Sequence, residues 1–456
     1  MSLEHSVSRT STPSASDRYH ALDALRGFAM FLGVLLHAAI PYTFIPVPFW
    51  PVQDSRRSNI FDGVLLAVHD FRMQLFFLLA GFFGCLLYSR YGFVGTAKHR
   101  LKRVALPLVL AMLTIQPALQ AVSVYALASA NGARSRLTFF GDPVAASESP
   151  LEAVEQHFIR GTFLKALIPA HLWFLWFLLL CFAVMLPLAF LGDRLRSSSL
   201  GNTWDAGFRW LARSPFRWLI LAVLTWPLLL PMTSPAGVDT PLGWVPSVHL
   251  LAYYFFFFVI GWNLYRHREV LERFVQSWPW AIAVGNLVVL PLGVTALYLE
   301  MKPHKANMED GAIFHLVALA LLGLYTWLSI GGLIGLFLRY LSRERAWVRW
   351  MADSSYWCYL ASLPPIVLLQ FLALPWEIPG PLKFACVSLA TIALLLLTYQ
   401  YGVRYTCIGR LLNGPRRESV RKPSQMGSSK DRELETVQPP TVVPKAPVKR
   451  NMDAAN

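Results

Sequence analysis

The chain has 456 residues, 55% of them hydrophobic and only 15% charged, whereas a soluble globular domain carries about 25% charged residues. That shortfall excludes an ordinary water-soluble fold and fits a surface that faces lipid. The formal charge of +15 reads as basic loops held on the cytoplasmic side of a bilayer, not as a nucleic-acid footprint.

Residues 1–19 are polar and rich in Ser and Thr; they read as a disordered cytoplasmic N-terminus, not a cleavable signal. Apolar runs long enough for a ~30 Å hydrocarbon core then recur. They fall near 22–45, 60–88, 104–130, 171–192, 216–234, 247–265, 280–299, 312–338, 354–374 and 382–402. The predicted fold class is all-α: a polytopic integral membrane protein with about ten transmembrane helices, spanning residues 20–408. Pro117 in the third run and Pro364 with Pro365 in the ninth predict kinks, because proline removes a backbone donor and clashes with the preceding turn. Residues 409–456 form a basic, Pro/Ser-rich tail predicted to be disordered and cytoplasmic.

Loop charges give the direction. Arg90, Lys98, Arg100, Lys102 and Arg103 follow the second run, and Arg194, Arg196, Arg209, Arg213 and Arg217 follow the fourth. Arg266, Arg268 and Arg273 follow the sixth, and Arg339, Arg343, Arg345 and Arg349 the eighth. Residues 232–246, on the other side, carry no Lys or Arg. By the positive-inside rule both termini face the cytoplasm, as an even number of crossings also requires. The long outward loop is 131–170. The five cysteines sit in or beside apolar runs without CxxC spacing, so neither a disulfide framework nor a metal site is expected.

Ionisable side chains inside a span cost at least ~2.5–3.5 kcal/mol and are functional candidates by default. In the first helix Asp23 and Arg26 lie i,i+3, near the cytoplasmic end, and can pair. His37 follows eleven residues after Arg26, about 16 Å further into the bilayer and on the same face. The second helix carries His69, Asp70 and Arg72. His37 lies roughly 22 Å from the cytoplasmic boundary and Arg72 roughly 18 Å from the outer one. In a ~30 Å core those depths meet, so neighbouring helices can place both side chains in one central cavity. His171 opens the fourth helix at the outer boundary, beside Trp173 and Trp176.

The chemistry follows from residue type. A neutral His accepts a proton from a hydroxyl nucleophile, a nearby Arg holds an anion or a developing oxyanion, and Asp70 can orient a histidine. No G-x-S-x-G nucleophile elbow occurs, which favours direct attack by a substrate hydroxyl. Arg100 and Arg103, three apart in the basic loop after the second helix, can grip a phosphate or pyrophosphate at the cytoplasmic mouth of the cavity.

These residues resemble the membrane acyltransferase-3 family. The family's Arg, ten residues, then His in the first helix is matched by Arg26 and His37, and its R-x-x-R motif by Arg100 and Arg103. The strings FRMQLFFLLAGFF over 71–83 and HLWFL over 171–175 are similar to those of the succinyltransferases that modify osmoregulated periplasmic glucans. The resemblance covers roughly residues 18–405. It implies a multi-pass protein of the bacterial inner membrane that takes an acyl group from cytoplasmic acyl-CoA and passes it to a glycan hydroxyl. His37 would be the base, with Arg26, Arg72 and Asp23 at the site. Arg100 and Arg103 would hold the CoA phosphates, with His69, Asp70 and His171 further substrate contacts. One departure stands out: those relatives read Y-L-x-H near the ninth helix, where this chain has Tyr359, Leu360, Ala361 and Ser362. A transporter or exporter would use the same buried groups as a permeation path.

Overall fold

The computed structural model describes residues 15–47, 49–130, 138–139, 142–143, 149–195, 198–234, 237–301 and 308–414. The expected basic tail beyond residue 414, residues 1–14 and most of the outward loop over 131–148 lie outside the described residues. Those described are almost wholly helical. Their only strands are one antiparallel pair of two-residue strands, β1 (Thr138–Phe139) and β2 (Asp142–Pro143). Helices suit an apolar chain because each satisfies its own backbone donors and acceptors, which lipid cannot do.

The chain begins with α1 (Ala15–Ala39), which starts ahead of the boundary drawn at residue 20. Next come α2 (Asn59–Arg100) and α3 (Leu106–Ala130), joined through a π-helical turn. Then follow α4 (Pro150–Ile159) and α5 (Thr162–Lys165). Then come α6 (Trp173–Leu195), α7 (Ser199–Arg213), α8 (Arg217–Leu229) and α9 (Val248–Arg266). After these lie α10 (Leu271–Val284), α11 (Leu290–Met301) and α12 (Met308–Tyr340). The chain closes with α13 (Ala346–Ala361), α14 (Leu363–Ala373), α15 (Gly380–Thr398) and α16 (Cys407–Asn413).

Among the described residues, 7 helical stretches are long and apolar enough to cross a membrane, or 8 when the bent pair α13 and α14 is taken as one span. The expected runs 60–88 and 104–130 fall in one stretch of 71 residues, Asn59–Ser129. The run expected over 216–234 is the shorter α8, of 13 residues. Within α2 the helix is interrupted at Gly92, whose φ of 64° is in the left-handed region; glycine takes that conformation without a Cβ clash. The kink expected at Pro364 and Pro365 appears as a 69° bend between α13 and α14, breaking at Ser362 just ahead of the two prolines. Pro364 and Pro365 sit in the first turn of α14, where proline's missing N–H has no intrahelical partner to lose, so the chain starts a new helix there instead of continuing α13. Pro117, by contrast, is carried inside α3.

Small residues set the helix crossings. A Cβ on Gly81 of α2 would collide with the Phe258 carbonyl, and one on Gly261 of α9 with the Leu78 carbonyl. The two glycines therefore let the backbones of α2 and α9 touch, the packing mode that membrane helices use in place of a hydrophobic driving force. Helix α1 packs against α2, α12, α13, α14 and α15, which puts His37 inside the bundle. The outer faces carry exposed apolar side chains such as Leu113, Val223, Leu287 and Leu389, as a lipid-facing surface would.

Candidate active site

A cavity of about 660 Å³ opens among α1, α2, α6, α13 and two loops, over residues 43–58 and 230–247. His37, His69, Arg72 and His171 all line it. The sequence put His37 and Arg72 at one depth, and the helices bring them together. Arg72 reaches across to α1 at Gly33, where a Cβ would collide with its Nη1. Gly33 is one turn before His37, so the absent side chain makes room for a guanidinium beside the imidazole. Arg72 Nε is buried with no hydrogen-bond partner, and Arg72 forms no ion pair among the described residues.

The three histidines differ in their commitments. His69 Nε2 donates to the Val238 carbonyl at 2.7 Å, and His171 Nε2 donates to the Leu360 carbonyl at 3.1 Å. Each therefore holds its ring in one tautomer. The ring of His37 makes no hydrogen bond among the described residues, and its Nδ1 is buried. It is instead stacked in parallel on Trp50, with centroids 5.5 Å apart and planes within 3°. His171 has a different support. Ala170, directly before it, has a φ of 44°, a costly conformation for a residue with a Cβ. It is held there while its N–H donates to the Leu242 carbonyl at 3.1 Å. Such strain persists only where the surroundings over-determine it, and it clusters at functional sites. The Tyr359 hydroxyl donates to the His171 carbonyl at 2.8 Å. Tyr359 and Ser362, from the divergent string, both line the cavity.

The remaining expected residues lie elsewhere. Asp70 does not line the cavity. Its carboxylate is fully buried against Gly237, next to the Val238 carbonyl that His69 meets, and its backbone carbonyl accepts from Thr326 Oγ1 at 2.6 Å. Adjacent helical positions diverge by about 100°, and among the described residues no hydrogen bond joins Asp70 to a histidine. Asp23 and Arg26 pair at 3.3 Å and are each about two-fifths exposed. They share a helix with His37 but lie outside the cavity.

Arg26 belongs to a second locus with the basic turn after α2. It lies 5.9 Å from the Phe83 ring, and Arg100 lies 4.6 Å from the Phe182 ring. Tyr356 of α13 donates its hydroxyl to the Arg103 carbonyl at 2.9 Å, and Arg103 Nη1 donates to the Leu411 carbonyl at 3.0 Å. Arg100 Nε is buried and has no hydrogen-bond partner. The expected set therefore divides into a histidine-lined cavity and an arginine-lined end.

Sequence reasoning missed Trp50, Gln370, Asp54 and Lys383. Trp50 lies in an irregular loop and Gln370 in an apolar helix. The buried ion pair Lys383–Asp54, at 2.8 Å, joins residues with no shared motif. An unpaired Lys in an apolar run was the available signal for the last of these.

An all-helical apolar bundle with a histidine-lined internal cavity and an arginine-lined end defines a multi-pass membrane protein with an internal polar site. The family profile described as an acyltransferase domain matches residues 19–400, and the chain belongs to that family, the membrane acyltransferase-3 proteins. Among curated relatives it is similar to glucans biosynthesis protein C of Escherichia coli strain SMS-3-5 / SECEC. The two are 32% identical over 103 residues, 22% of this chain and 25% of the relative. The same protein from strain K12 is 31% identical over 103 residues, with the same shares. The alignment thus spans about a quarter of the curated relatives. No solved structure matches.

Proposed function

We propose that the chain is a membrane O-acyltransferase of the bacterial inner membrane. It moves an acyl group, succinyl as the leading candidate, from cytoplasmic acyl-CoA to a hydroxyl of an exported or periplasmic glycan. The observation that carries this reading is that His37 and Arg72 line one cavity, His37 with no ring hydrogen bond and Arg72 with no ion pair among the described residues. The family membership supplies the reaction class, and the relatives' name supplies the glucan acceptor.

In this reading the acceptor hydroxyl attacks the thioester carbonyl carbon while His37 takes its proton. The C–O bond forms, the carbonyl oxygen becomes an oxyanion, and Arg72 offsets that charge or holds the distal carboxylate of a dicarboxylic acyl group. The C–S bond then breaks, and the CoA thiolate leaves and collects the proton from His37. The products are an O-ester and CoA thiol. His69 and His171, fixed as donors to backbone carbonyls, offer their other ring nitrogens as acceptors for acceptor-sugar hydroxyls. Arg100 and Arg103 hold the CoA phosphates, with the Asp23–Arg26 pair beside them.

The same reading takes residues 20–408 as the acyltransferase domain, crossing the bilayer ten times with both termini cytoplasmic. A 71-residue helical stretch would extend roughly 106 Å, far more than a ~30 Å core, and so counts as two crossings. The bent pair and α8 supply the others.

The deciding experiment uses membranes carrying the full chain, radiolabelled succinyl-CoA and the glucan acceptor. His37→Ala should cut transfer by about 10²–10⁴-fold, the range for loss of a general base, without loss of folded protein. Transfer at the wild-type rate by His37→Ala would overturn the mechanism. Glycan flux in vesicles without acyl-CoA consumption would make the chain a transporter instead.

A further inference from the structure

The loop between α1 and α2 crosses the cavity and is tied at three points. Near its start, the Asp62 carboxylate accepts from the N–H groups of Phe44 and Ile45, both at 2.9 Å. Near its end, Asp54 meets Lys383 of α15 at 2.8 Å, the two side chains only 3% and 1% exposed. Lys383 Nζ also donates to the Leu374 carbonyl at 3.1 Å. A buried ion pair is geometrically demanding, since each charge must be met by its partner and by hydrogen bonds. It fixes the loop against α15 within narrow limits.

The third tie is at the cavity itself. Trp50 Nε1 donates to Gln370 Oε1 at 3.0 Å. Gln370, 2% exposed on α14, donates its Nε2 to the His37 carbonyl at 2.9 Å. The Trp50 ring lies parallel to the His37 imidazole, within the range of an offset stack. One amide therefore links the ring that covers His37 to the backbone that carries His37. Among the described residues no hydrogen bond orients the imidazole, and here an indole plane does what a carboxylate or carbonyl does for other catalytic histidines.

We infer that Trp50 and Gln370 form a positioning unit for His37, with Trp50 fixing the plane of the imidazole and Gln370 fixing Trp50 relative to α1. This rests on the reading of His37 as the base. It adds two residues that act through His37 and not on the substrate. Misplacing a general base lowers the chemical step more than it lowers donor binding, and an error near 1 Å costs about 100-fold.

The test measures kcat and KM for succinyl-CoA in purified, full-length Trp50→Phe, Gln370→Met, the double variant and His37→Ala, per unit of monodisperse protein. Trp50→Phe keeps an aromatic ring and loses the donor; Gln370→Met keeps volume and loses both bonds. Each single variant should lower kcat about 10–100-fold and leave KM for succinyl-CoA within about twofold. The double variant should be no worse than the poorer single one, because residues acting as one unit are not additive. Trp50→Tyr, which retains a ring and an O–H donor, should lose less than Trp50→Phe. If Trp50→Phe does not fold, Gln370→Met decides alone on the same split.

Wild-type kcat in both single variants overturns the inference, as does a defect confined to KM, or losses that multiply in the double variant. An active His37→Ala would instead remove the base on which the inference rests. The two failures are thus told apart by the same set of proteins.

Discussion

At the level of single residues, Gly33 decides where Arg72 can go. It sits on the cavity face of α1, and its missing side chain leaves the space that the guanidinium Nη1 occupies. Gly33→Ala should push the flexible end of Arg72 aside at little cost to folding, below about 1 kcal/mol. The same change should lower succinyl transfer by about tenfold or more, since it moves a charge relative to the reacting centre. Thermal unfolding in detergent and the transfer assay, run on the same preparation, separate the two effects. Transfer unaltered in Gly33→Ala would take Arg72 out of the chemistry. Single residues also show what the sequence could and could not reveal. Arg72, His37 and His69 were legible because a charged or titratable group in an apolar span is costly and so stands out. Trp50 was not, because a tryptophan near a membrane interface is an ordinary anchor.

At the level of elements, the crossing of α2 and α9 governs whether the cavity forms. The mutual contact of Gly81 and Gly261 with the opposite carbonyls leaves no flexible side chain to give way. Gly261→Ala should therefore cost about 3 kcal/mol, at the upper end of ordinary overpacking, read as a lower thermal midpoint. Gly63→Ala on α2 is the matched control. A Cβ there meets nothing within 4 Å, and alanine favours the helix by up to about 1 kcal/mol over glycine. Equal midpoints for the two variants would show that backbone contact does not hold α2 against α9. The bend between α13 and α14 was readable from Pro364 and Pro365. What the bend accomplishes was not: it sets Tyr359 and Ser362 against the cavity and carries Gln370 to the end of α1. The amphipathic α7 lay inside what read as a basic loop, because its arginines dominated the charge count while Trp204 and Phe208 supplied the other face.

At the level of the molecule, the proposed path from a cytoplasmic donor to an outward acceptor requires that Arg100 and the loop over 230–247 lie on opposite sides of the membrane. A fluorescent protein joined after Asn456 should fluoresce, and alkaline phosphatase at the same place should be inactive. The same two reporters inserted between residues 243 and 245 should give the reverse result, because that loop carries no Lys or Arg to hold it inside. Identical reporter behaviour at both places would refute the ten-crossing arrangement and the route through the cavity with it.

The sequence by itself determined the membrane class, most of the spans, and the common depth of His37 and Arg72. Each of these depends on composition or on spacing along one helix, which the fixed rise and turn of an α-helix convert directly into position. The tertiary structure alone decided which polar residues share a cavity. It put His69, His171 and Arg72 around His37, kept Asp70 out of the cavity lining, and left Arg26 and Arg100 at the other end. It also joined Trp50 to Gln370 across a sequence separation of 320 residues. Such contacts depend on how several helices pack at once, and no local period in the chain records that. The strings FRMQ and HLWFL marked the family, but the stacking of His37 on Trp50 exists only in the folded bundle.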